Sequence, residues 1–396
     1  MKILIDARMY GLEHAGIGRY VENLVEQLME LDKENEYVLL MRKSPITNHT
    51  FDKLSTGQSL ITDRCQLVET DIPHYSLGEQ TKLLRLLNRT DFDIAHFPHF
   101  NVPVFFNKLY VLTIHDLIKH TSRGMKTTTK NPLLYWAKYA GYKTVFSNAV
   151  VHAKKIIVPS NAVKEDLLKN YKISPGKVEV IYEGVEEGFK SPITNHTFDK
   201  LSTGQSLITL KKYKIATPYV IYTGSAYPHK NLERLIEAVK YFNDIYQYSE
   251  PINLVICGSR NVFLERLQKV VKRNKAEKYV KFLGYIPDEE LVMLYRNARA
   301  FVFPSLAEGF GLPGIEAIAA GCPLLCSDIP VSHEIYGKAA VYFNPTDSTD
   351  IADKIKQILA DGELRESMVS KGKERVKRFS WRKMAQETLE VYKKTL

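Results

Sequence analysis

Short runs of β-branched and aromatic residues alternate with stretches of helical spacing almost from one end of the chain to the other. Candidate strands in the first half are Lys2–Asp6, Tyr37–Met41, Gln66–Thr70, Ile94–Phe97, Tyr110–Ile114, Lys155–Val158 and Val178–Tyr182. The second half offers Tyr219–Tyr222, Asn253–Cys257, Val280–Leu283, Ala300–Phe303, Pro323–Ser327 and Ala340–Phe343. Helical patterns lie between them, among them Tyr20–Leu31, Asn161–Lys169, Asn231–Tyr246, Pro287–Asn297 and Asp350–Leu359. Strands spaced by helices imply βαβ units and parallel sheets, here in two successive sets. The expected fold is therefore α/β: two Rossmann-like, doubly wound domains facing across a cleft, where ligands bind at the carboxyl ends of the strands. The expected boundaries are 1–189 for the first domain, 190–215 for a linker and 216–377 for the second domain. A last helix, within 378–396, packs back toward the first domain. It spans Trp381–Lys394, with Ser380 as its N-cap.

One feature has no structural origin. Lys43–Thr62 and Lys190–Thr209 are identical over 20 residues. A structural repeat tolerates divergence and recurs in equivalent settings, and these copies do neither. A recent duplication or an altered chain accounts for them. Both are read as loops, since surface segments accept insertions. The sequons at Asn48 and Asn195 inside them are incidental.

At 396 residues the chain fits two domains of about 200 residues each. Apolar content of 44% and charged content of 25% are those of a globular protein. Asp6 and Arg8 interrupt the first apolar run, so it is a strand and not a signal peptide. No apolar stretch reaches the roughly 20 residues a bilayer requires. The expected location is cytoplasmic. Four cysteines, at 65, 257, 322 and 326, form no disulfide framework in a chain this long.

The net charge of +10 is unevenly spread: residues 119–179 carry 12 Lys and Arg against 3 Asp and Glu. That block, which includes Lys138, Lys143, Tyr135, Trp136, Tyr139 and Tyr142, is compatible with an anionic membrane surface or with a merely solvated face. The membrane reading makes the protein peripheral on the inner face. No recognition motif accompanies the charge, so nucleic acid is not an expected partner.

Four stretches carry candidate chemistry. In Phe303-Pro-Ser-Leu-Ala-Glu-Gly-Phe-Gly-Leu-Pro-Gly-Ile-Glu-Ala317, a strand ends, a glycine loop follows and a helix begins near Pro313. Free amides and the helix dipole there make an anion site suited to a diphosphate, flanked by Glu308 in the loop and Glu316 in the first helical turn. The bare pattern is equally that of a strand–turn–helix with one exposed Glu and one helix-capping Glu. In Tyr222-Thr-Gly-Ser-Ala-Tyr-Pro-His-Lys-Asn231, Lys230 opens a helix, where a cation is mildly disfavoured; it reads either as reaching an anionic ligand or as an ordinary solvated lysine. Gly11 to Tyr20 is a glycine-rich loop after the first strand. Its Gly16-Ile-Gly18 lacks the full dinucleotide fingerprint. Finally, Thr113-Ile-His-Asp-Leu117 places a His–Asp pair at a strand's carboxyl end, where it suits acid–base work or a structural role.

Two apparent metal signals fail. Asp91-Phe-Asp93 precedes its strand and so sits at the amino end, away from the expected cleft. His96 and His99 flank Pro98, so no helix presents both. No metal and no other cofactor is expected.

These pieces together resemble the "group 1" family of retaining GT-B glycosyltransferases (family four), its mannosyltransferase-like bacterial branch above all. The matching stretches are Ile3–Gly11, Gly16–Tyr20, His96–His99, Thr113–Leu117, Val158–Ser160, Gly224–Asn231, Phe282–Ile286, Glu308–Glu316 and Asp328–Gly337. The resemblance implies a nucleotide-diphosphate sugar as donor and a saccharide or lipid-linked sugar as acceptor, with the first domain on the acceptor side. It implies that Glu308 contacts the transferred sugar, that Glu316 binds the ribose, and that Lys230 neutralises the diphosphate. Amides around Gly309, Phe310, Gly311 and Leu312 would share that anion. His115 would sit near the reacting sugar, Gly16 and Gly18 near donor phosphate and acceptor, and Tyr285 and Ile286 beside the base. The sequence departs from the family twice. Ser225 stands where an Arg is frequent, leaving its charge to His229 or an arginine elsewhere. Glu183 stands where Asn usually precedes Gly.

The implied chemistry is hexosyl transfer, mannose favoured, with leaving-group stabilisation by Lys230 and helix-terminus amides in place of a metal. Retention would come from same-face attack, with the departing phosphate accepting the acceptor's proton. Two other classes stand beside it: a nucleotide-sugar epimerase of the same fold, and a non-catalytic nucleotide-sugar-binding module.

Overall fold

The computed structural model describes residues 1–11, 15–42, 64–121, 131–190, 204–246, 248, 250–258 and 262–396. Most of both duplicated segments, with Asn48 and Asn195, and residues 122–130 of the basic block lie outside the described residues.

The first sheet has seven parallel strands: β1 (Lys2–Asp6), β2 (Glu36–Arg42), β3 (Cys65–Thr70), β4 (Ile94–Phe97), β5 (Tyr110–Thr113), β6 (Lys155–Val158) and β7 (Val178–Val180). Their order is β3-β2-β1-β4-β5-β6-β7. The second sheet has six, also parallel: β8 (Tyr219–Thr223), β9 (Asn253–Cys257), β10 (Val280–Gly284), β11 (Ala300–Phe303), β12 (Leu324–Ser327) and β13 (Ala340–Phe343). Their order is β10-β9-β8-β11-β12-β13. Central strands such as β4, β5, β11 and β12 are buried at every position, because helices cover both faces of a parallel sheet. Every strand expected from the sequence is present, with ends shifted by at most two residues. Two doubly wound α/β units are thus the architecture.

Strand order reverses direction between β1 and β4 in the first sheet, and between β8 and β11 in the second. At such a switch point the loops leaving adjacent strands diverge to opposite faces, which opens a crevice at the carboxyl ends. The first compact unit comprises Met1–Leu117, the described residues from 131 to Gly184, and Ser380–Leu396; the second comprises chiefly Val185–Phe379. The last helix, Trp381–Lys393, therefore belongs with the first sheet, and Ser380 caps it through the amide of Lys383. Gly184 makes the crossing possible: a Cβ there would run into the backbone of Trp381.

Two expectations need correction at this level. The tail of the second duplicated segment is not a loop, because Gly204–Lys212 forms a helix with Leu210 buried and Lys212 paired to Glu290. Gly16 and Gly18 are not loop residues either. The helix begins at Ala15 and runs to Leu31, burying Tyr20, Val21, Leu24, Val25 and Leu28 along one stripe. Gly18 is needed because a Cβ at that position would collide with the carbonyl of Gly11. It serves packing of the helix against the loop after β1.

Candidate active site

At the second switch point, β8 leads through Gly224 and Ser225 to a short 3-10 turn, Pro228–Lys230, and then to the helix Leu232–Ile245. Lys230 thus does not open that helix as expected. It stands just ahead of it, and Asn231 in the left-handed conformation (φ 60°) lies between. Asn is among the few residues that adopt this backbone readily. Its amide also ties three segments together. Nδ2 donates to Pro304 O (3.0 Å) and Pro345 O (2.7 Å), and Oδ1 accepts from Arg234 (2.9 Å). A backbone bond from Leu306 to His229 O (2.8 Å) closes the same junction. The loop carrying Lys230 and the loop carrying Glu308 are thereby fixed to one another.

The consequence is a direct ion pair, Lys230 Nζ to Glu308 Oε1 at 2.6 Å, with side chains only 16% and 9% exposed. The ammonium also lies 5.6 Å from the centre of the Phe303 ring. After Glu308 come Gly309 and Phe310, then Gly311 with φ 93° as N-cap of the helix Leu312–Ala319. A side chain at Gly311 would strike the Tyr336 hydroxyl, which donates to Gly311 O at 2.8 Å. Pro313 occupies the helix's second position, where its missing N–H leaves no donor unsatisfied, and Gly314 N turns back to Gly311 O at 3.0 Å. Glu316 is buried and is the fifth helical residue. It therefore sits in the second turn, not the first as expected.

The carboxyl edge continues outward. Gly224 N donates to Cys257 O (2.9 Å), and Gly258 N donates to Gly284 O (2.8 Å). Ser225 O accepts from the buried Tyr222 hydroxyl at 2.8 Å. Tyr285 and Ile286 follow β10, two strands beyond β8, and Tyr285 is largely exposed while Ile286 is buried. Within the second unit the structure thus joins Lys230 to Glu308 directly. It sets Gly309–Gly311 in the loop that leads into the following helix and Leu312 and Glu316 on that helix, with Tyr285 farther along the same edge.

The first unit holds the remaining candidates. His115 follows β5, and its Nε2 lies 3.0 Å from Pro98 O, which can only accept, so Nε2 carries a hydrogen. Nδ1 faces Glu183 Oε1 at 3.2 Å. The partner is therefore Glu183, not the adjacent Asp116 that the His–Asp reading supposed. The place where the sequence departs from the resembled family is the place that holds this ring. Tyr20 packs edge-on against it, centroids 4.7 Å apart, and its hydroxyl meets Thr113 Oγ1 at 3.2 Å. Thr113 in turn bonds His96 Nε2 (2.8 Å), and His96 Nδ1 bonds Tyr392 Oη (2.6 Å). Burial, aided by nearby His115, pulls His96 down to about 3 and keeps it neutral. His96 is thus a structural link from β4 to the last helix.

Asp91 and Asp93 lie where the sequence placed them, at the amino ends of β1 and β4. Asp93 accepts the amide of Lys2 (2.7 Å), and Asp91 its ammonium (3.3 Å). Among the described residues no group of three or more His, Cys, Asp or Glu is arranged to hold a metal ion.

Sequence reasoning missed three side chains: Asn231, Arg8 and Asn101. Asn231 gave a signal in the Lys-Asn step before an apolar helical run. Arg8 gave one as a cation closing an apolar strand. It is buried and bidentate to Asp6, Nε–Oδ1 and Nη2–Oδ2 both at 2.7 Å, and Nη2 also reaches Glu79 Oε1 at 2.9 Å.

Comparison with known proteins agrees with this layout. The family described as Glycosyltransferase Family 4 matches residues 14–189, and Glycosyl transferases group 1 matches residues 210–375. The chain is 28% identical to O-antigen chain mannosyltransferase B of Escherichia coli, over 99% of this chain and 100% of that one. It is 30% identical to O-antigen chain mannosyltransferase RfbU of Salmonella typhimurium over 66% of this chain and 63% of that one. Among solved structures, sucrose-phosphate synthase from Thermosynechococcus elongatus superposes with a TM-score of 0.75 at 20% identity, covering 99% and 98% of the two chains. Anabaena HepE in complex with UDP and glucose gives 0.73 at 17% identity, covering 100% of both.

Proposed function

The chain belongs to the GT-B glycosyltransferases of family four and group 1, and on that footing we propose that it moves a hexose, mannose in first place, from a nucleotide-diphosphate sugar to a saccharide or lipid-linked acceptor, with retention and without a metal ion. The observation that carries the reading is the Lys230–Glu308 pair beside the glycine-capped helix at the β8/β11 switch point. An ammonium and the glycine-rich N-terminal end of a helix meet where ligands bind in such sheets. The mannose preference rests on the mannosyltransferase relatives.

In the proposed reaction the C1–O bond to the β-phosphate breaks while the acceptor oxygen bonds C1 on the same face. The acceptor's proton passes to the departing phosphate oxygen. Charge accumulates on the diphosphate, and Lys230 with the Gly309–Leu312 amides stabilises it. Glu308, released from Lys230 when the diphosphate takes its place, orients the transferred sugar. Glu316 takes the ribose, and Tyr285 with Ile286 flanks the base.

The test is donor turnover with GDP-, UDP- and ADP-sugars, with and without a saccharide acceptor, in excess chelator. Turnover is expected to require acceptor and to be unaffected by chelation, and NMR is expected to show the donor's anomeric configuration in the product. Acceptor-independent epimerisation, manganese dependence or an inverted product would each remove the corresponding part of the proposal.

The proposal extends to a peripheral, anionic membrane surface. No described helix is long and apolar enough to cross a membrane. The helix Pro132–His152, however, exposes Leu133 (82%), Leu134 and Trp136 near Lys138. Apolar insertion combined with cationic attraction predicts binding to vesicles rich in acidic lipid that weakens as salt rises. Binding insensitive to salt, or unchanged in Leu133→Ser/Trp136→Ser, would exclude this surface.

A further inference from the structure

The first switch point, at the carboxyl ends of β1 and β4, also carries a built site. A cavity of about 10 Å³, room for one water-sized group, is lined by Asp6, Met9, Val21, His74, Pro98, His99 and Asn101. Asn101 is only 5% exposed. Its Nδ2 donates to Glu79 Oε2 at 2.9 Å. An ionised carboxylate only accepts, so the amide cannot be turned round, and Oδ1 is left as the other face of the group. That oxygen is buried and has no hydrogen-bond partner among the described residues. Buried acceptors are seldom left so, because the lost hydration is not recovered.

The same carboxylate fixes a second feature. Glu79 Oε2 also accepts the amide of Tyr75 at 2.7 Å, holding Tyr75 in the left-handed region at φ 59°. A bulky residue adopts that backbone only when its surroundings impose it, and such positions gather at functional sites. Tyr75 is 58% exposed, and its hydroxyl lies 2.9 Å from Nε2 of His99, one of the cavity's lining residues. An aromatic ring thus stands exposed beside a buried acceptor, and Glu79, clamped by Arg8, sets both.

We propose that this switch point is a pyranose subsite, in which one hydroxyl of a neutral sugar enters the cavity and donates to Asn101 Oδ1 while the ring's apolar face lies on Tyr75. The size of the cavity admits a hydroxyl and keeps the ring outside. The local charge selects against an anion, since Asp6 and Glu79 face a single guanidinium. Pro98, which lines the cavity, also receives the hydrogen bond of His115 Nε2 (3.0 Å), so a sugar held here lies within one residue of that ring's anchor. As an acceptor subsite the assignment rests on the transferase reading; as a sugar-binding site it does not.

The test uses methyl α-mannopyranoside and its four monodeoxy analogues as probes, with binding to the full chain followed by ligand-observed NMR. For the wild type, one deoxy analogue is expected to bind at least tenfold more weakly than the parent, and inorganic phosphate is expected not to compete. In Asn101→Leu the parent and that analogue are expected to bind alike. Tyr75→Ala, a change at an exposed ring, is expected to weaken all five probes together. Four analogues that match the parent, a discrimination that survives in Asn101→Leu, competition by phosphate, or Tyr75→Ala binding like wild type would each overturn the site. A thermal shift with nucleoside diphosphates, run in parallel, tests the transferase reading separately. Sugar binding without a nucleotide shift leaves this site standing and removes the other.

Discussion

Lys230→Ala is expected to lower transfer by about a thousandfold, roughly 4 kcal/mol of transition-state stabilisation. The magnitude follows from where charge develops. The loop carrying Lys230 is held in place by Asn231 and by the contact from Leu306 to His229, so once the diphosphate displaces Glu308 the ammonium is already aimed at it. A preorganised charge in a site with little water acts far more strongly than the same charge in bulk solvent. Nucleoside diphosphate affinity should fall as well, measured by calorimetry, and Lys230→Arg should recover part of both. Activity within tenfold of wild type in Lys230→Ala would end the assigned role. The resting ion pair sharpens the expectation. Glu308 and the diphosphate compete for one ammonium, so Glu308→Gln should bind nucleoside diphosphate as well as or better than wild type while transfer is lost. A plain structural salt bridge predicts weaker nucleotide binding in that variant.

The sheets were legible because parallel strands buried on both faces read as short apolar runs, as β1, β4, β5, β11 and β12 do; the edge strand β3 is mixed instead, with Gln66 and Glu69 exposed. Local chemistry was legible where one segment contains it. The strand–loop–helix from Phe303 to Ala317 folds as its glycines and Pro313 suggest. Residues whose meaning depends on distant partners were not legible. His115 follows its strand as expected, but its partner Glu183 comes from 68 positions away. Asp116 is the sequence neighbour, but the ring's bonds run to Glu183 and to Pro98 O. Gly16 and Gly18 looked like loop formers because glycine usually is one. Gly18 is instead required by the nearness of Gly11 O to the first helical turn, which no local pattern encodes. Likewise Asn101 is unremarkable in sequence. Its significance comes from Glu79, 22 residues earlier, which commits one end of the amide and leaves the other unsatisfied.

Arg8→Ala should be the most damaging substitution in the first unit, at about 3–5 kcal/mol of stability. The guanidinium is fully buried between Asp6 and Glu79, and Nη1 reaches Ile72 O at 3.3 Å. Burial works against its charge, but Asp6 and then Glu79 outweigh that effect and raise its pKa. Truncation leaves two carboxylates buried with no counter-charge, and typical domains have only about 5–15 kcal/mol to lose. The pH dependence has a definite sign. Burial already raises Glu79 above its ordinary value of 4.5 even with Arg8 present, so the folded chain binds more protons than the unfolded one above that pH. Stability from this group therefore falls as pH rises through the raised value. Removing Arg8 raises Glu79 further, so the variant should regain part of its loss when acidified from neutral pH toward the carboxylate range. Both tryptophans of the chain, Trp136 and Trp381, lie in the first unit, so urea unfolding followed by their fluorescence reports on it selectively. The triple variant Arg8→Met/Asp6→Asn/Glu79→Gln should be far less damaged, because no charge is left unpaired. A loss below about 1 kcal/mol in Arg8→Ala, or one that grows on acidification, would show that the guanidinium does not hold the switch point together.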